Sequence, residues 1–123
     1  MAESVWDETV ILDLAHLSGF TGGDPDFECQ ILDIFLDNAP GYLENLSAID
    51  QENWKTTAHK LKGAARSIGA WALARAAERA EQMGSPEPTN LRRVQIIALL
   101  ENRLAELIAF IEKHQQILRA KPL

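Results

Sequence analysis

Four long stretches of this 123-residue chain repeat apolar residues at spacings of three and four, and none alternates apolar with polar residues as a strand does. The first carries Phe27, Ile31, Phe35, Ala39, Tyr42, Leu43 and Leu46, and the second Trp54, Ala58, Leu61, Ala65 and Ile68. The third is alanine-rich, with Ala70, Leu73, Ala74, Ala77 and Ala80, whose small side chains suit close helix approach. The fourth runs through Ile97, Leu100, Leu104, Leu107 and Ile111. A chain with this period has one economical way to hide its stripes, an all-α bundle.

Local chemistry sets the expected boundaries. Glu8–Leu17 reads as a short helix, ended by the Ser18–Gly23 stretch. Asp24 and Pro25 look like an N-cap followed by proline in the first turn, opening a helix across Phe27–Leu46. Pro40 lies inside it and deprives the Leu36 carbonyl of its donor, so a kink, or failing that a break, is expected there. Asp50 is expected to cap a helix from Gln51 to Ile68, with Gly69 as terminator. Trp71–Met83 follows and stops at Gly84, and Ser85-Pro86-Glu87-Pro88 makes a rigid connection. Thr89 or Asn90 then caps a last helix that reaches at least residue 115, before a fraying tail from Arg119. The expected architecture is an up-down-up-down four-helix bundle with a short additional N-terminal helix. It is one domain over residues 1–123, with its core in about 8–115.

Charge is distributed unevenly. Residues 1–54 hold 12 acidic side chains and no Lys or Arg, whereas all 12 basic residues follow, against 6 acidic ones. A net charge of −6 argues against nucleic acid as the main partner. No run approaches the roughly 18 apolar residues of a membrane span, and the acidic N-terminus lacks the features of a secretory signal. Cys29 is the only cysteine, which excludes a disulfide framework and suits a reducing compartment, so a cytoplasmic location is expected.

The chemistry concentrates in Ala58–Ala70, AHKLKGAARSIGA. With Trp54 at zero on a helical wheel, the apolar stripe stays within about 40° either side, while His59 falls near ~140° and Gly63 near ~180°. Lys62 lies near ~80° and Arg66 near ~120° on the same wheel. His59 therefore sits on the outward side of a helix whose other side is buried. Gly63 needs a reason, because a mid-helix glycine costs about 1 kcal/mol relative to alanine. Its missing side chain opens a flat approach to the imidazole one turn away. Lys55, Lys60, Lys62 and Arg66 make a local positive patch that would steer an acidic or phosphorylated partner.

A neutral imidazole can attack an activated phosphoryl group, and the Lys62 ammonium can neutralise charge on the transferring oxygens. A carboxylate on the next helix could hold the other ring N–H; Glu81 is the first choice and Glu78 the second. No histidine pair has helical metal-ligand spacing, so no metal site is expected. His16 reads as a packing or last-turn histidine, His114 as a residue of a fraying end, and Cys29 as partly buried filler. Trp54 and Trp71 read as core or rim packing.

AHKLKGAARSIGA resembles the signature of histidine-containing phosphotransfer (HPt) domains of bacterial two-component phosphorelays, through His59, Leu61, Lys62, Gly63 and Gly69 with small Ala64 and Ala65 between. Ile11-Leu12-Asp13, Gly22-Gly23-Asp24, Phe35-Leu36 and Pro40 are similar to the family's first two helices. Glu81 falls where the family often has Glu or Gln near the histidine. Arg66 stands where relatives often carry a small residue, so it would tune partner choice.

The resemblance implies a phosphocarrier, not an enzyme with its own ATP-dependent kinase activity. His59 would relay a phosphoryl group between aspartates of receiver domains, from a hybrid histidine kinase to a response regulator. Lys60 and Lys62 would stabilise the phosphorylated ring. Gly63, with Arg66 and Lys55 nearby, would meet the receiver, and the apolar rim beside Gly63 would dock the receiver's helix. No cofactor of its own is implied, since Mg2+ would belong to the receiver, and a free-standing monomer is expected. The competing reading is an adaptor bundle that binds a receiver or kinase and inhibits it without carrying phosphate.

Overall fold

The computed structural model describes residues 5–48 and 52–120. Among them the helices are α1 (Leu14–Thr21), α2 (Pro25–Ser47), α3 (Trp54–Ile68), α4 (Trp71–Gln82) and α5 (Leu91–Ala120), with no strand. The all-α class and the extra N-terminal helix are as expected.

The first helix lies later than its periodicity suggests. Asp13 accepts the backbone N–H of His16 at 3.0 Å and caps α1. The helix then continues through Ser18-Gly19-Phe20, a stretch expected to break it, and ends at Gly22, whose φ of 66° provides the left-handed turn. Residues 5–13 form a strap instead. Val10 accepts the N–H of Ala72 at 2.9 Å, and Asp13 donates to the Gly69 carbonyl at 2.9 Å. Bonding to the α3–α4 junction outcompetes a helix there.

Asp24 caps α2 through the N–H groups of Asp26 and Phe27, with Pro25 in the first turn, as expected. The helix runs unbroken through Pro40. Its buried face differs from the expected stripe in the first half. Glu28 and Leu32 are buried, while Phe27 is exposed and Ile31 and Tyr42 pack only at the edge of the core. The expected cap Asp50 and the start at Gln51 lie outside the described residues, and α3 begins at Trp54 after Asn53. Gly69 closes α3 with φ 83°, and Asn90 caps α5 by accepting the Arg92 N–H at 2.9 Å. Arg119 and Ala120 are helical, contrary to the expected fraying, and the rest of that tail, residues 121–123, lies outside the described residues.

Each long helix packs on its chain neighbours, and α5 closes the ring against α2, while α1 lies on α2 and α3. Specific bonds fix the antiparallel order. Trp54 at the start of α3 meets Ala80 at the end of α4, and Gln115 late in α5 meets Asp33 early in α2. The core holds Leu32, Phe35, Leu46, Trp54, Leu61, Leu73, Leu100, Leu107 and Ile111 among its buried members. All five stripe residues of α3 are no more than 2% exposed. Such a helix cannot turn about its axis without lifting Leu61 and Trp54 into water, at about 1.5–3 kcal/mol for each large side chain. Its outward face is thereby fixed. No helix of the described residues is long and apolar enough to cross a membrane.

Candidate functional site

His59 projects from the second turn of α3 with its side chain 66% exposed. It does not stand alone. Its Nδ1 lies 2.6 Å from Glu81 Oε2, and Lys62 Nζ donates to Glu81 Oε1 at 2.5 Å. Glu81 reaches both because α4 runs back along α3 from the Gly69-Ala70 junction, which carries the last turn of α4 up to His59. The wheel position of Lys62, on the α4 side of His59, puts its ammonium at the same carboxylate.

The carboxylate is only 16% exposed. Burial pushes its pKa up, but the hydrogen bonds from Lys62 and His59 outweigh that, and the net result lies below the ordinary Glu value. Glu81 is therefore ionised at neutral pH and can only accept. A neutral His59 ring must then carry its proton on Nδ1, donate it to Glu81, and keep its lone pair on Nε2. Glu78, the second choice for this partner, is engaged by Arg75 one turn earlier on α4.

The cations expected around His59 divide into two groups. Lys55, Thr56, His59 and Glu81 line an open hollow of about 280 Å³. Lys60 lines the adjoining groove of about 370 Å³ between the end of α2 and the start of α3, with Asn45, Ala48, Asn53, Thr56 and Thr57. Lys62 is paired to Glu81, whereas Lys55, Lys60 and Arg66 make no ion pair among the described residues and are exposed. Gly63 is exposed, and a Cβ placed on it meets nothing within 4 Å. The surface beside the imidazole is thus open to a large partner. Thr56 joins hollow and groove, a position not singled out from sequence; its place one turn before His59 was the available signal.

The remaining histidines pack, as one reading of them expected, but not at the helix ends expected. His16 lies in the first turn of α1 rather than the last, edge-on to Trp71 at 5.0 Å, with Nε2 3.2 Å from the Ser67 carbonyl. His114 is not at a fraying end. It packs inside α5 with Nε2 2.6 Å from Glu28 Oε1, which explains why the face of α2 turns to bury Glu28. Cys29 is half-buried, and burial raises its thiol pKa, so its thiolate is disfavoured. Trp71 is half-buried and donates to Asp13 at 2.9 Å, while Trp54 is core. Among the described residues no three His, Cys, Asp or Glu side chains come together as metal ligands.

A family model described as the Hpt domain matches residues 30–112. That span starts in α2 and ends in α5, and contains His59, Lys62, Gly63 and Glu81; it leaves out α1, the strap and the Glu28–His114 pair. No curated protein and no solved structure matches the chain.

Proposed function

The chain belongs to the Hpt domain family, and from that premise we propose that His59 relays a phosphoryl group between the aspartates of receiver domains. Hpt domains are histidine phosphotransfer modules of phosphorelays, phosphocarriers rather than kinases.

Nε2 of His59 attacks the phosphorus of an aspartyl phosphate. The N–P bond forms as the P–O bond to the aspartate breaks, and the aspartate leaves as carboxylate with the electron pair. The ring keeps its Nδ1 proton and gains positive charge, which the Glu81 carboxylate balances at 2.6 Å. Transfer to a second receiver reverses the step, with neutral imidazole as leaving group. Lys62 keeps Glu81 ionised and in place, and Lys55, which lines the hollow with His59, would meet the phosphoryl oxygens in the role expected of Lys60, which lines the neighbouring groove instead. Lys60, Arg66 and Gly63 lie where a docked receiver makes contact. Magnesium, in this scheme, belongs to the receiver. The partners are the receiver of a hybrid histidine kinase and that of a response regulator in a bacterial two-component pathway.

The observation that most supports this reading is the exposed imidazole with Nδ1 held by an ionised carboxylate and Nε2 left as nucleophile. The test is phosphoryl transfer from a labelled hybrid-kinase receiver to the wild type and to His59→Gln. Acid-labile, base-stable label is expected on the wild type alone, with the helical circular dichroism of both proteins alike. An unlabelled wild type that still binds several receivers would overturn the relay in favour of an adaptor.

A further inference from the structure

Glu81 sits in the last turn of α4, where backbone carbonyls run out of helical donors and helices fray. The Ala80 carbonyl, next to it in the chain, has two donors. One is the N–H of Met83 at 3.2 Å, a tightened terminal turn. The other comes from a different helix: the indole Nε1–H of Trp54, at 2.7 Å. Trp54 is 1% exposed and opens α3, five residues before His59. Five residues of α-helix rise about 7.5 Å, so the imidazole and the anchor of its carboxylate partner are referenced to one short piece of one helix.

The anchor is itself held. The guanidinium of Arg93 lies 5.1 Å from the Trp54 ring centre. Arg93 is 2% exposed and donates to the carbonyls of Pro86 and Leu46 at 3.2 Å, and to that of Ala48. The ring is thus held at its N–H by Ala80 and on its face by Arg93. Hydrophobic burial alone explains a large apolar side chain at this position. It does not explain a donor aimed at the one carbonyl that precedes Glu81.

We infer that Trp54 is a positioning residue for phosphoryl transfer, acting through the Ala80 carbonyl to hold Glu81 on Nδ1 of His59. The kinetic part of this inference rests on the phosphocarrier reading; the tautomer of His59 does not. Without the indole donor, the last turn of α4 loosens, Glu81 is no longer held to the ring, and Nδ1 and Nε2 share the proton. The nucleophilic atom is then correctly prepared only part of the time.

The test uses the full chain carrying ¹⁵N-labelled histidine, with Trp54→Phe, Glu81→Ala and the double variant. Long-range ¹H–¹⁵N spectra at about pH 8.5, where imidazole is neutral, report which ring nitrogen of His59 bears the proton. The rate of phosphorylation by phosphoramidate, a small donor that needs no receiver, is measured alongside. Trp54→Phe is expected to move the His59 nitrogen shifts toward those of Glu81→Ala and to slow phosphorylation about tenfold, the range of lost second-contact support. In the Glu81→Ala background it should add less than a twofold further loss. Unchanged His59 shifts in Trp54→Phe, or losses that multiply in the double variant, would overturn the inference and leave Trp54 as packing alone. Should Trp54→Phe fail to fold, benzothienylalanine at position 54 decides the matter, because it keeps the bicyclic shape and replaces only the N–H by sulfur. If the wild type takes no phosphoryl group the relay reading fails, and the tautomer comparison still decides the role of Trp54.

Discussion

Replacing Glu81 by alanine removes the carboxylate that pairs with the ring of His59, and the size of the loss follows from the geometry. With Nδ1 and Oε2 at 2.6 Å, the centres of ring and carboxylate are about 4 Å apart, and unit charges at that distance attract by about 1 kcal/mol in water and about 4 kcal/mol at an effective dielectric constant near 20. The carboxylate is mostly buried and the imidazole mostly exposed, so the pair lies between these limits, near ~2 kcal/mol after solvent screening. On the proposed relay, the interaction acts on charge that appears in the ring only as the N–P bond forms. It therefore lowers the barrier rather than the ground state, and its loss is expected to slow phosphorylation about 30-fold.

Single-turnover labelling by phosphoramidate or a phosphorylated receiver reads this directly. Glu81→Gln, which keeps an acceptor and drops the charge, should fall between the two rates. Stability supplies a second readout. The Glu81 carboxyl is held below its ordinary value in the folded chain, because the Lys62 and His59 hydrogen bonds exceed the opposing effect of burial. Its contribution is present in full above the unfolded pKa and is lost as pH falls through the folded one. The gap in melting temperature between wild type and Glu81→Ala should therefore narrow as pH falls through the carboxylate range. A rate within twofold of wild type, or a gap that widens in acid, would refute the electrostatic account.

Gly63→Gln should separate docking from folding: nothing lies within 4 Å of the added Cβ, and a better helix former replaces glycine, so thermal stability rises while receiver affinity drops about tenfold. Equal affinity in a binding titration would remove the approach argument for this glycine. Gly69→Ala should do the reverse. Its φ of 83° costs an L-residue about 1–2 kcal/mol, and the new Cβ meets the Asp13 carbonyl and His16 Cδ2 at 3.1 Å. A melting temperature about 5–10 °C lower is expected, and an unchanged one would mean that the strap yields easily.

Helix content, the buried stripe of α3 and the outward position of His59 were legible in the sequence because each depends on the 3.6-residue period and on nothing distant. Asp24-Pro25 and Gly69 were legible for a related reason: a cap or a left-handed turn is dictated by a few adjacent residues. The errors arose where a distant partner decided the outcome. Residues 8–13 have helical periodicity, but Gly69 and Ala72 offer backbone bonds that hold them as a strap. The face of α2 turned because His114, 86 positions away, gives the buried Glu28 carboxylate a half-buried partner. The site shows the same division. One helix determines that His59 is exposed beside Lys62 and Gly63, since residues three and four apart must share a side. Which ring nitrogen of His59 is held is decided by Glu81 from a second helix, and the choice of Glu81 over Glu78 follows from which turn of α4 lies beside His59. Period and capping are short-range and can be read along the chain; tautomer and charge balance depend on contacts of a few ångströms between helices, which exist only once the bundle has closed.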